Sequence, residues 1–258
     1  MSNPPRIIKG LFDLSYQIDP DSALDNHIIQ QGIFGDWLAR HLVDLIPADG
    51  TILDIGANAG LLTLPFAKIM VPQGMVYAYE PDPEVLEQLE TNVNLNQLAN
   101  VRIFPLALQD DTHVAEVILN IRRVTDGDNL INKGLSSIHP FPVYNVNSQT
   151  VAASTIDVEV VKHSLARIDF IKIDVEGAEC RVLQGGQTSL MKSRPIIQYE
   201  YSTLIDELIN FPNSRFAYEF LTQLGYQQYG LREERYLSLL TSPPDQTAGI
   251  NILCFPNS

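Results

Sequence analysis

The chain is short of the residues that staple or anchor a protein by special means. It has 2 cysteines, Cys180 and Cys254, in 258 residues. Two cysteines make no disulfide framework, and their spacing excludes a cysteine-based zinc site within this chain. Basic residues are scarce too: 17 Lys and Arg against 31 Asp and Glu give a net charge of −14. A surface that tracks phosphates needs clustered Lys and Arg, so neither nucleic acid nor an acidic membrane surface is an expected partner. No run of ~18 apolar residues occurs, and MSNPPRIIKGLFDLSYQIDPDS is no charged-then-apolar leader. The expectation is a soluble cytoplasmic protein. With 45% hydrophobic and 19% charged residues, the chain can bury a sizeable core.

From Thr51 onward, short apolar runs alternate with amphipathic ones, the pattern of a parallel sheet with crossover helices. Thr51–Ile55, Met75–Glu80, Val101–Ala107, Asp169–Asp174 and Pro195–Tyr201 read as strands. Leu61–Met70, Pro83–Leu95, Ala178–Met191 and Ser214–Leu224 read as helices. Pro65 fits its helix only near the first turn, and Pro105 predicts a bend at the end of its strand. Tyr226–Tyr229 and Ile250–Phe255 read as a closing antiparallel pair. The fold class is therefore α/β: a Rossmann-like sheet, mostly parallel, with a C-terminal antiparallel strand pair and helices on both faces.

The alternation breaks in the middle. Val114–Leu119 and Val151–Val160 read as strands. Between them Asn120–Thr150 is polar and punctuated by Gly127, Gly134, Pro140 and Pro142. That is too long for an ordinary connection, so it is a functional loop or a poorly ordered one. Residues 1–45 read as a helical cap or lid in front of a main domain spanning 46–258.

The segment that carries chemistry is TILDIGANAG, Thr51–Gly60. A strand running through a glycine turn into a helix aims backbone amides at a ligand. A dinucleotide site wants glycines at the first, third and sixth positions of this turn. Gly56 is first, but Asn58 is third and Leu61 sixth. The nicotinamide-dependent oxidoreductase is thus the rival reading, not the leading one. D-x-G-x-N-x-G suits S-adenosylmethionine (SAM) better, because SAM has no phosphate. Gly56 and Gly60 allow close approach to its methionine part, and Asn58 supplies a side-chain amide. Twenty-four residues after Gly56, Glu80 ends the second strand, where a carboxylate can accept ribose hydroxyls.

Two stretches carry a family resemblance. One is ILDIGANAGLLTLPFAK with YAYEPDPEVLEQLETNVNLN. The other is IDFIKIDVEGAECRVLQGGQTSL, Ile168–Leu190, followed by RPIIQYEY. ALQDD and LSSIHP match looser patterns between them. Over roughly residues 50–200 the chain resembles the FkbM family of SAM-dependent methyltransferases, which has the class I methyltransferase fold. The resemblance implies that Gly56, Ala57, Asn58 and Gly60 line the methionine moiety, with Glu80, Pro81 and Asp82 at the ribose and Asp54 also given to the donor. It places Ala107–Asp110, including Leu108, along the adenine, with Asp110 as the partner of its amine. Asp174 falls near the donor's amino group and the acceptor. An aromatic–Glu pair often precedes the first strand in this family, and Phe34-Gly35-Asp36-Trp37 stands in its place here. O-methylation, and a hydroxylated small molecule as acceptor (a sugar, polyketide or peptide natural product), are implied by the resemblance alone.

Methyl transfer from a sulfonium to a hydroxyl needs in-line alignment and a base for the hydroxyl's proton. Open α/β sheets bind ligands at the carboxyl ends of their strands. There Asp54 and Glu80 are assigned to the donor, leaving Asp174, Glu176 and Glu200 for the acceptor. Asp174 and Glu176 are the catalytic candidates. Each also has a capping reading, since DVEG precedes a helix. A divalent cation on the pair is a further alternative, but two carboxylates two residues apart are too small a signal to assign a metal. Of the histidines, His41 reads as structural, while His113 and His163 lie away from the chemistry. His139, in SSIHP of the long loop, is the candidate base that could reach over the site. Cys180 reads as a small buried residue. A catalytically silent SAM-binding protein is the remaining alternative.

Overall fold

The computed structural model describes residues 4–22, 24–26, 30, 42–125, 130–139, 147–232, 236–245 and 249–257. The chain opens with Arg6–Lys9 (β1) paired antiparallel to Ser15–Ile18 (β2). This hairpin corrects the helical expectation for that stretch. Leu14, Tyr16 and Ile18 are buried while Ser15 and Gln17 between them are not, the two-residue period of a half-covered strand. His27, His41 and Phe34–Trp37 lie outside the described residues.

The main sheet begins with Thr51–Ile55 (β3). A short helix, Thr63–Pro65 (α1), follows and continues as a π-helical turn over Phe66–Met70. Pro65 is the third residue of α1, where a missing amide costs no helical bond. Met75–Tyr79 (β4) leads to Pro83–Leu95 (α2), which Asp82 caps by accepting the Glu84 amide. Val101–Phe104 (β5) ends at Pro105, and Ala107–Leu108 (β6) resumes in a separate small sheet. That sheet also holds Glu116–Ile121 (β7) and Asn147–Ser154 (β10). Val124–Thr125 (β8) and Ile131–Asn132 (β9) form a ladder of their own in the middle of the predicted loop.

Thr155 ends β10 by accepting the Val158 amide and starting Ile156–Lys162 (α3). The expected strand Val151–Val160 therefore stops at Ser154. Phe170–Ile173 (β11) follows. The single helix expected over Ala178–Met191 is two, Glu179–Gln184 (α4) and Gln187–Ser193 (α5). The break is at Gly185, packed so tightly that a Cβ would lie 2.0 Å from the Gln109 carbonyl oxygen. Ile196–Tyr201 (β12), Thr203–Ile209 (α6) and Asn213–Gln223 (α7) come next. Tyr226–Arg232 (β13), Tyr236–Leu239 (β14) and Ile250–Pro256 (β15) complete the described elements.

Strand order in the large sheet is β14-β13-β15-β12-β11-β3-β4-β5. Strands β12 through β5 run parallel, and β13, β14 and β15 are antiparallel, one strand more than the expected pair. Leu53, Ile55, Ile171 and Ile173 pack on one face against Val182, Leu183 and Leu221. Ile52 and Phe170, one residue out of step, pack on the other face against Phe66 and Met70. Among the described residues, no helix is long and apolar enough to cross a membrane.

Candidate active site

β3 is followed by β4 on one side, while β11 lies on its other side, so the sheet changes winding direction between β3 and β11. Ligands of open α/β sheets sit beyond the strand ends at such a point. A cavity of about 610 Å³ lies there, within the usual range for a ligand pocket.

Its floor is the glycine turn. Gly56 has φ 75°, and a Cβ there would sit 1.9 Å from the Asp174 carbonyl oxygen, so only glycine fits. Asn58 is also left-handed, at φ 51°, a region asparagine tolerates better than most residues. Its amide donates to Glu80 Oε2 at 2.9 Å, and the Asp82 amide donates to Oε1 at 2.8 Å. One carboxylate thus fastens both the glycine turn and the turn after β4. Burial pushes Glu80 up to about 7, against the pull of the two amides. Gly56, Ala57, Asn58, Glu80, Pro81, Asp82, Ala107, Leu108, Asp174 and Glu176, all sequence candidates, line the cavity.

Four candidates do not. Asp54 is fully buried beneath the turn, accepting Thr63 Oγ1 at 2.5 Å and lying 3.6 Å from Lys172 Nζ. Gly60 is packed under α2, where a Cβ would meet Leu89 Cδ1 at 2.7 Å. Asp110 is held away by Arg181 of α4, whose Nε donates to it at 2.8 Å. His139 is turned onto Phe211, ring centroids 5.6 Å apart, with burial and then Arg181 holding its pKa below the ordinary value. Those placements put Asp54, Gly60, Asp110 and His139 outside the cavity lining. Cys180 is buried, and its thiol is raised to about 11.

The sequence reading missed Lys172, although a lysine inside the apolar run DFIKID was the signal. Register places Asp54, Lys172 and Gln198 side by side on β3, β11 and β12, all of them buried. Lys172 Nζ donates to the Gly56 carbonyl at 2.5 Å and lies 3.6 Å from Asp174 Oδ2. Burial opposes its charge, but Asp174, Asp54 and Glu80 outweigh that, and its pKa lies above the ordinary lysine value. Asp174, Glu176 and Glu200 then converge, each with a carboxylate oxygen within 4.8 Å of the others. Burial first, and the neighbouring carboxylates next, push Glu176 and Glu200 well above the usual range. The helix that Glu176 was a candidate to cap has no side-chain cap; Glu179, its first residue, instead accepts the Val175 and Gly177 amides of the preceding turn.

A strap from the insertion covers the glycine-turn side of the cavity. Arg123 donates to buried Asp82 at 2.7 Å and to Glu84 at 3.2 Å. Lys133 reaches Glu84 at 2.7 Å and Asp19 at 2.8 Å. Ser136 adds a bond to Asp82 at 2.9 Å. Gly134 lies so close to the turn that a Cβ there would be 2.9 Å from Asn58 Nδ2. These contacts hold Lys133–Ile138 along the cavity wall.

The fold has a counterpart in an O-methyltransferase from Bacillus cereus solved in complex with SAH. The match has a TM-score of 0.50 and 13% identity, covering 86% of this chain and 80% of that one. Methyltransferase 1 of Beauveria bassiana is 28% identical over 189 residues, 67% of this chain and 72% of that protein. The 2-O-methyltransferase NoeI of Sinorhizobium fredii is 28% identical over 170 residues, 63% of this chain and 68% of that protein. The methyltransferase FkbM domain matches residues 54–227, from the buried aspartate of β3 into β13. That span takes in the glycine turn, Glu80, the insertion and the carboxylate cluster, and the chain belongs to the FkbM methyltransferase family.

Proposed function

We propose that this methyltransferase uses SAM as donor and methylates a hydroxyl of a small molecule. The observation that carries the reading is the Glu80 carboxylate, buried at the end of β4 and joined to the amide of Asn58 in a turn where Gly56 leaves room for no side chain. That cradle fits a nucleoside with an amino-acid arm. Gly56, Ala57 and Asn58 would take the methionine part, Glu80 the ribose, and Ala107 and Leu108 the adenine face. Bound there, SAM supplies an electrophilic methyl group on sulfur.

What the chain supplies is position and a proton acceptor. Asp174 stands at the end of β11, beside the glycine turn and as one member of the carboxylate cluster. Lys172, at 3.6 Å, places a positive charge beside it. An acceptor hydroxyl aligned over the methyl group gives its proton to a carboxylate of the cluster as its oxygen takes the methyl. The S–CH3 bonding pair stays on sulfur. The relative named as a 2-O-methyltransferase supports oxygen as the acceptor atom, and three carboxylates suit the binding of a polyhydroxylated molecule.

Titration calorimetry tests the donor. SAM and SAH should bind near one per chain, and NADH should not bind. NADH binding with no response to SAM or SAH refutes the assignment.

A further inference from the structure

The register of β11 and β12 pairs Ile173 with Tyr199. Asp174 and Glu200, one residue on, are therefore neighbours at the strand ends. Glu176 is brought back to them by a turn in which Glu176, at φ 55°, and Gly177, at φ 98°, are both left-handed. A non-glycine residue in that region costs on the order of 1 kcal/mol. The turn thus bears a local cost to set a third carboxylate against two others, which repel it.

Glu80 and Glu179, by contrast, each have backbone amides donating to their carboxylates. Among the described residues, the cations that face the cluster are Lys172, from β11, and Arg122, on the Glu176 side. Lys172 is shared with Asp54 and Glu80 and donates to the Gly56 carbonyl. Negative charge is left in excess.

Gln198 adds an independent observation. It is 2% exposed, lines the same cavity, and precedes Glu200 by two residues, so both occupy one face of β12. Its Nε2 donates to Asn251 Oδ1 at 2.5 Å. Its Oε1, buried, has no hydrogen-bond partner. A buried acceptor left without a donor costs about 1–3 kcal/mol, and a ligand in the cavity removes that cost.

We propose that Asp174, Glu176 and Glu200, with the Gln198 carboxamide oxygen beside them, bind one divalent cation of the hard, oxygen-preferring class. The donor set is all oxygen, with no cysteine or histidine among the cavity-lining residues, which favours Mg²⁺, Mn²⁺ or Ca²⁺ over zinc or copper. A dication offsets the excess negative charge more fully than a single ammonium does. Resting on the proposed methyl transfer, the ion would hold the acceptor oxygen at the strand ends and ease the loss of its proton.

The test is Mn²⁺ titration of the full chain, by calorimetry and by the EPR signal of free Mn²⁺, with no donor or acceptor present. About one Mn²⁺ per chain is expected. Glu176→Gln and Glu200→Gln should each weaken binding at least ~10-fold, a loss of about 1.4 kcal/mol, while the exposed Glu116→Gln leaves it unchanged. Melting temperatures close to wild type show that the variants fold, and the wild-type titration decides the matter if they do not. Absence of Mn²⁺ binding, or binding that survives both substitutions, overturns the proposal. So does displacement of Mn²⁺ by SAH, which would give the cluster to the donor's ammonium. Mn²⁺ binding without any SAH binding counts instead against the SAM reading and leaves the ion site standing.

Discussion

Glu80→Gln is the substitution that separates the donor site from the rest of the cavity. In the wild type both carboxylate oxygens already accept a backbone amide, from Asn58 at 2.9 Å and Asp82 at 2.8 Å. Each oxygen has a second lone pair for a ribose hydroxyl. Glutamine keeps one acceptor oxygen but turns an NH2 group toward a backbone N–H. One buried amide then loses its partner, at about 1–3 kcal/mol of stability. The charge-assisted bond to one ribose hydroxyl is lost as well, at about 1.5–3 kcal/mol of binding. SAH affinity should therefore fall about 10- to 150-fold.

A pH series adds a check that a simple loosening of the turn would not mimic. With Glu80 pushed up to about 7, the free protein at pH 6 holds it mostly protonated. Ribose hydroxyls donate best to the ionised form, so binding must first remove the proton. Wild-type affinity for SAH should rise about tenfold from pH 6 to pH 8, and the Gln variant should show no such rise. Calorimetry at both pH values reads the two effects together. A loss under threefold on substitution, or a pH dependence that survives it, refutes the placement of the ribose at Glu80.

Arg123→Ala removes the strap's bonds to Asp82 and Glu84 together, and limited proteolysis within residues 120–150 should speed up at least ~10-fold, with SAH restoring part of the protection. Equal cleavage rates in the variant and the wild type would show that the ion pairs do not close the strap. Glu80 and Glu179, each raised by burial to about 7 from an ordinary value of 4.5, bind protons more tightly in the folded chain. Their stabilising contribution is full below pH ~4.5 and is lost as pH rises through 7, so Tm should fall by several °C between pH 5.5 and 8.5, about 2 kcal/mol per group; a flat or rising Tm refutes the burial of these carboxyls in their neutral form.

The parallel half of the sheet was legible because its strands are continuous apolar runs ended by glycine, proline or acid, and two-sided burial leaves that mark on a sequence. The N-terminal hairpin was not. Leu14, Tyr16 and Ile18 make a three-residue alternation that is short beside the polar stretch around it. Its fastening to the domain runs through Asn92 and Asn96, whose side chains accept the Gln17 and Ser15 amides. Contacts between residues some 80 positions apart leave no local pattern to read. The break at Gly185 depends likewise on the Gln109 carbonyl, and the placing of Asp110 on Arg181. The Arg181 guanidinium that engages Asp110 comes from α4, 71 positions away, and the local sequence around Asp110 carries no sign of it.

The carboxylates at the strand ends divide by what they are bonded to, and the division follows their chemistry. Asp54, Asp82, Glu80 and Glu179 accept from Thr63, Arg123 and backbone amides, and in doing so they set the shape of the turns. Asp174, Glu176 and Glu200 instead meet one another across the cavity. Sequence spacing showed only that acids collect at strand ends; it could not sort those that build the pocket from those that face its contents. Register does the sorting. Lys172 and Gln198 are neighbours on β11 and β12, and two residues further along each strand the same faces carry Asp174 and Glu200. The buried polar row inside the sheet and the acidic cluster at its edge are thus one feature, a stripe running along the seam between β11 and β12 into the cavity. His139, turned onto Phe211, is outside that stripe. The proposed proton acceptor is therefore one of the acids of the sheet and not a residue of the strap, whose contacts run to Asp82 and Glu84 and approach Asn58 on the glycine-turn side of the same cavity.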